Sequence, residues 1–129
     1  MLFLNGMTPR KPFMMKLEPG TVVLVRFPFT DLQSSKLRPA VILSTKAEDV
    51  IILGIFSRIP GELQESWIKI EETDPGFSQT GLQKTSMIKT EKIAVVHQSL
   101  IRKELGSIPS NVMQKVKMVL RKTLEIDES

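Results

Sequence analysis

Thr21-Val-Val-Leu-Val-Arg-Phe27, Pro39-Ala-Val-Ile-Leu-Ser44 and Val50-Ile-Ile-Leu-Gly-Ile-Phe56 decide how this 129-residue chain folds. Each run is too short for a helix and rich in the β-branched residues that suit a pleated surface. Pro28, which has no N–H to give a sheet, halts the first. The second is a continuous apolar stretch, as a strand buried on both faces reads, and the third reads as another strand. Glu48-Asp49 between them predicts a turn, and hence a hairpin. Gly54 inside the third run predicts a bulge or a close backbone approach.

Working outward, Pro19-Gly20 closes an N-terminal stretch. Residues 1–14 read as a flexible arm, with Met14 or Met15 as alternative starts, and 15–129 read as one domain. Thr30 to Lys36 is polar and predicts an exposed loop. Pro60-Gly61 opens a long loop, after which Trp67-Ile-Lys-Ile70 alternates as a half-exposed strand does. A second loop covers Thr73 to Gly81. Ser86 to Lys89, Lys92 to Val96 and Glu104 to Ile108 complete the strand candidates. In the tail, Val112, Val116, Val119, Leu120 and Leu124 recur at spacings of three and four, with Lys115, Lys117, Arg121 and Lys122 on the other face. That pattern predicts an amphipathic helix from Ser110 to Ile126. Short strands closed by one helix give an all-β or α+β class, a small barrel with a C-terminal helix packed on it.

Composition excludes several kinds of chemistry. The chain has no cysteine and one histidine, His97, so disulfides, thiolate metal sites and a two-histidine acid/base pair are ruled out. No clustered acidic motif demands a divalent metal, and no cofactor motif is present. The formal charge is +4, with nine basic and five acidic residues in 81–129 against five and eight in 31–80. Such an excess suits a polyanion such as RNA; a solvated lysine-rich face is the other reading. No stretch approaches the roughly 20 apolar residues that span a bilayer, so the sequence predicts a cytoplasmic protein with no membrane partner.

Gly20-Thr-Val-Val-Leu-Val-Arg-Phe-Pro-Phe-Thr-Asp31, followed by Lys36-Leu-Arg-Pro-Ala-Val-Ile-Leu-Ser44, closely resembles the opening of PemK/MazF-family toxins. Gly81-Leu-Gln-Lys-Thr-Ser-Met-Ile-Lys89, with Lys92-Ile93 beyond, is similar to that family's next signature. The likeness runs from Lys16 to Leu124. It implies an SH3-like β-barrel of the PemK/MazF/CcdB kind, usually a homodimer, paired with a cognate antitoxin. It also implies cleavage of single-stranded RNA through the 2′-hydroxyl, without a metal, leaving a 2′,3′-cyclic phosphate. A related barrel family instead poisons DNA gyrase through its C-terminal residues, but this tail ends Leu124-Glu-Ile-Asp-Glu-Ser129, without an aromatic end. A catalytically inert relative is the third reading.

RNA cleavage of that kind needs proton transfer at two oxygens and stabilisation of charge on phosphorus. Arginine is the natural electrostatic element, because its planar fork holds two phosphoryl oxygens. Arg38 leaves a polar loop and enters a strand, and by resemblance it stands at the catalytic arginine. Lys36 and Arg58 are candidate phosphate contacts. The family's second catalytic element is a Thr or Ser hydroxyl ending the third strand; here Phe56 takes that position and Ser57 follows. A one-residue offset turns a side chain to the opposite face, so Ser57 is expected to serve only if a bulge re-aims it. Lys84 and Ser86 fall where some relatives place an Arg and an Asp; Lys84 is a candidate to hold phosphate, Ser86 is no substitute for a carboxylate as a base and reads first as an ordinary strand residue, and Asp31 and Glu62 are loop carboxylates that could assist instead. Trp67 is a candidate for base stacking, core packing being its commoner use. His97, in a strand-like run, is expected to be structural.

Overall fold

The computed structural model describes residues 17–26 and 36–127. The expected arm at 1–14, the Phe-Pro-Phe-Thr-Asp block and Asp31 lie outside the described residues. Six strands form one antiparallel sheet: β1 (Thr21–Val25), β2 (Arg38–Lys46), β3 (Asp49–Phe56), β4 (Trp67–Ile70), β5 (Ser86–His97) and β6 (Ile101–Ser107). The helix α1 (Ser110–Thr123) follows, three residues shorter than its periodicity suggests. The hairpin read from the two apolar runs is β2–β3, turned at Ala47, whose φ is 56°. The two short candidates at 86–89 and 92–96 are one strand, β5.

Across the sheet the strands run β4-β5-β3-β2-β1-β6. The expected closed barrel is therefore not formed. Closure would require β4 and β6 to pair with each other, and they are instead the two edges. β4 has only four residues, all paired to the first part of β5, and its neighbour on the helix side is α1 rather than a strand. Register shifts interrupt three of the five pairings, and each sharpens the local twist.

Both faces of the sheet are apolar, which explains the unbroken hydrophobic runs of β2 and β3. On one face Val22, Val41, Leu53, Ile55 and Ile88 pack under Met113 and Val116 of α1. On the other, Val23, Val25, Ala40, Ile42, Ile52 and Val96 form a second cluster. The alternation also fixes where the sheet's polar end points. Arg38 shares a face with Ala40 and Ile42, while Pro39 shares the helix-side face with Val41.

Candidate functional site

Two clefts open at the end of the sheet where β2 begins and β3 finishes, and Ser57 lines both. The larger, about 700 Å³, is walled by Lys36, Arg38, Phe56, Arg58 and Lys89. Four cations thus face one space, and no carboxylate is among the described residues that line it. Arg38 opens β2, is half-buried, and pairs across β1 with Val25, so a central strand holds its backbone. Its Nε is shut off from water and has no hydrogen-bond acceptor among the described residues. A buried donor left so costs on the order of 1–3 kcal/mol.

Lys89 is the residue that the sequence reading missed. Its Nζ lies 4.7 Å from the ring centroid of Phe56 and 4.3 Å from that of Trp67. Two aromatic faces therefore hold one ammonium. Its signal was Gly54, which stands directly across from Lys89 in the β3–β5 ladder and puts no side chain beside it. Phe56, in place of the expected hydroxyl, is thus one wall of a cation clamp.

Gly54 does sit at a register shift, but the extra residues are on the partner strand. Leu53 pairs with Ile93 and Gly54 with Lys89, so Thr90, Glu91 and Lys92 bulge from β5. β3 alternates without a break, with Leu53 and Ile55 towards the helix and Phe56 towards the opposite cluster. The bulge therefore does not re-aim Ser57. Ser57 reaches the clefts because it lies one residue past the strand, exposed, where pairing no longer dictates its direction.

The β5 bulge braces the clamp. The Glu91 carboxylate accepts from Trp67 Nε1 at 2.7 Å and from Ser66 Oγ at 2.7 Å. Partial burial acts to raise the Glu91 pKa; the hydrogen bonds from Trp67 and Ser66, its own backbone N–H and the Lys89 charge outweigh that and hold it below its ordinary value. Beneath it the buried Thr90 hydroxyl donates to the Ser66 carbonyl at 2.7 Å and lies 2.6 Å from Thr123 Oγ1 on α1. The Trp67 ring is thus engaged inside the fold and does not line either cleft.

Lys84 and Ser86 are not in the basic cleft. They line the smaller one, about 290 Å³, on the helix-side face. Ser86 is 4% exposed and its hydroxyl donates to the Lys84 carbonyl at 2.8 Å, which makes it a corner brace rather than a proton acceptor. His97 ends β5; its Nδ1 accepts the Ser99 N–H at 3.1 Å, which leaves the proton on Nε2, 3.3 Å from Glu48. Both its nitrogens are used locally, and it lines neither cleft. Among the described residues no three of His, Asp and Glu gather as metal ligands, and no helix is long and apolar enough to cross a membrane.

Comparison with known proteins agrees with this architecture. The sequence profile described as PemK-like, MazF-like toxin of type II toxin-antitoxin system matches residues 18–124. No curated protein matches the chain by sequence. Among solved structures, a mycobacterial endoribonuclease in complex with its cognate antitoxin superposes with a TM-score of 0.63 at 16% identity, over 87% of this chain and 98% of that one. The Mycobacterium tuberculosis toxin MazF-mt6 gives 0.63 at 12%, covering 84% and 99%. MazF from Deinococcus radiodurans, solved with MazE, gives 0.63 at 20%, covering 85% and 97%. At such identities the likeness is one of fold.

Proposed function

The chain belongs to the PemK-like, MazF-like toxins of type II toxin–antitoxin systems, and from that premise we propose that its basic cleft cleaves single-stranded RNA without a metal ion. The observation that carries this reading is Arg38: a guanidinium that opens a central strand and faces a space ringed by three more cations, with no carboxylate among the described residues that line it. A phosphoryl oxygen in the cleft accepts from the outer N–H groups of the guanidinium, and most fully when charge builds on the phosphorane.

In this mechanism the RNA's own 2′-oxygen attacks phosphorus and the bond to the 5′-oxygen breaks, giving a 2′,3′-cyclic phosphate and a 5′-hydroxyl. Arg38 and the clamped Lys89 hold the non-bridging oxygens. Lys36 and Arg58 hold the flanking backbone. Ser57, between the clefts, donates a hydrogen bond to the leaving 5′-oxygen, which takes the proton of its new hydroxyl from solvent water. Asp31 is assigned on sequence grounds to take the 2′ proton. The same reading gives the protein a cognate antitoxin, a homodimeric state and a cytoplasmic site of action. That fold relatives have been solved with their antitoxins supports the first of these.

The test is cleavage of defined single-stranded RNAs in EDTA. Cleavage should persist in the chelator, and Arg38→Met should lower kcat/KM by about 10²–10³, the range for removing one preorganised donor to a developing charge. The melting temperature of Arg38→Met should be unchanged or higher, because a buried donor with no acceptor among the described residues is removed. Ser57→Ala should slow cleavage by about tenfold. No cleavage of any RNA, or cleavage indifferent to Arg38, overturns the reading.

A further inference from the structure

Lys89 carries its charge on a flexible four-carbon stem, and ordering such a side chain at a binding site costs on the order of 0.5–1.5 kcal/mol. Phe56 and Trp67 offset part of that cost in advance, with ring centroids 4.7 Å and 4.3 Å from the ammonium. A ring can aim a cation only if the ring is itself fixed. Phe56 packs against the second core cluster. Trp67 has less support from packing: it is half-buried and opens β4, a four-residue strand at the edge of the sheet. What fixes it is Glu91. One oxygen of that carboxylate accepts from Trp67 Nε1 and the other from Ser66 Oγ, each at 2.7 Å. Ser66 is tied back in turn, its carbonyl accepting the N–H of buried Thr90 at 3.1 Å and the Thr90 hydroxyl at 2.7 Å. Glu91 itself lines no part of the basic cleft.

We propose that Glu91 is a positioning residue for RNA: by anchoring the Trp67 indole it sets the Lys89 ammonium where a phosphate meets it, so that an acidic side chain strengthens the hold on a polyanion. The inference rests on the reading of the basic cleft as an RNA site and adds a residue that acts on that site from outside it. Charge alone would work in the opposite direction. A carboxylate two residues from Lys89 repels phosphate, and its removal, with nothing else changed, tightens binding. Positioning and repulsion therefore differ in sign. They also differ in what they need, since positioning acts only through Lys89, whereas repulsion is felt with or without it. A glutamine at this place has one accepting oxygen instead of two, and so keeps one of the two anchors.

The experiment is a double-mutant cycle on the full-length protein, read as the Kd for a labelled single-stranded RNA by fluorescence anisotropy, with kcat and KM for its cleavage measured alongside. Glu91→Ala should weaken binding about threefold, the scale of one cation–π contact, and raise KM by the same factor with kcat little changed. Lys89→Met should weaken binding about tenfold, as for one charged contact to phosphate. Adding Glu91→Ala to Lys89→Met should bring no further loss, because the group it positions is gone. Glu91→Gln should fall between wild type and Glu91→Ala. Tighter binding by Glu91→Ala overturns the proposal in favour of plain repulsion. An equal loss with and without Lys89 overturns it in favour of a general effect on the fold. Binding without cleavage that still shows the coupling between Glu91 and Lys89 overturns the nuclease reading and leaves the positioning role standing. Failure to bind RNA overturns both.

Discussion

At the corner that carries residues 77–84, backbone meets backbone; across Ser57, in the cleft with Arg38, charged side chains face open space. The corner is set by contacts that tolerate no extra atom. The Gly106 Cα lies against the Gln79 and Thr80 carbonyls, and the Gly81 Cα against Leu105. The basic cleft is held by softer means, a cation between two rings and a guanidinium whose Nε has no acceptor among the described residues. One region shows how a chain makes a rigid surface without charge. The other shows how it gathers charge, with four cations on one space and no carboxylate among the described residues that line it. A substitution in the first should therefore act on stability, and in the second on function.

The largest expected effect lies in the corner. Gly106→Ala places a methyl where a partner backbone already sits, and backbone cannot step aside as a side chain tip can. The cost should be about 3 kcal/mol, at the upper end for overpacking, and a drop of about 10 °C in melting temperature. Scanning calorimetry on the purified variant checks this. A melting temperature within a degree or two of wild type would show that the corner yields and that its stiffness is not a given.

The clamp should respond on a smaller scale. Phe56→Leu keeps an apolar side chain against the second core cluster and removes one of the two faces over Lys89. The lost cation–π contact is worth about 1 kcal/mol, so KM for RNA should rise about fivefold with kcat little changed. Phe56→Tyr, which keeps the ring, should restore KM. If leucine and tyrosine behave alike, the ring has no part in holding Lys89 and the difference between the two regions narrows.

These regions were unequally legible in the sequence. The apolar run of β2 announced a strand buried on both faces, that of β3 a strand beside it, and the Val112–Leu124 spacing announced the helix, because burial writes itself into period. Arg38 and Ser57 were found at a loop-to-strand boundary and a strand end. Lys89 was not, because it depends on which strand lies beside Gly54, and register between strands 35 residues apart leaves no local trace. For the same reason the bulge was expected on β3 and lies on β5. Open edges in place of a closed barrel are likewise a matter of long-range pairing. Lys84 and Ser86 were placed with Arg38 by position in a motif, whereas alternation along β2 and β5 sends them to the other face.

The smallest effect separates the clamp from its brace. Trp67 is the only tryptophan in the chain, and its Nε1 donates to Glu91, so its emission reports whether that carboxylate is charged. The folded Glu91 pKa is held below its ordinary value, chiefly by Trp67 and Ser66 against the opposing effect of burial. A depressed carboxylate contributes stability that is present above the unfolded value of about 4.3 and is lost as pH falls through the lower folded value. The emission should therefore stay constant on acidification to about pH 4.3 and change only below it. Glu91→Gln should abolish the step while shifting the melting temperature at neutral pH by no more than about 2 °C, since the carboxylate is largely solvated. An emission step above the ordinary carboxylate range would mean that Glu91 is destabilised as an anion where it stands. Lys89 would then be held by the two rings alone, without an anchored Trp67.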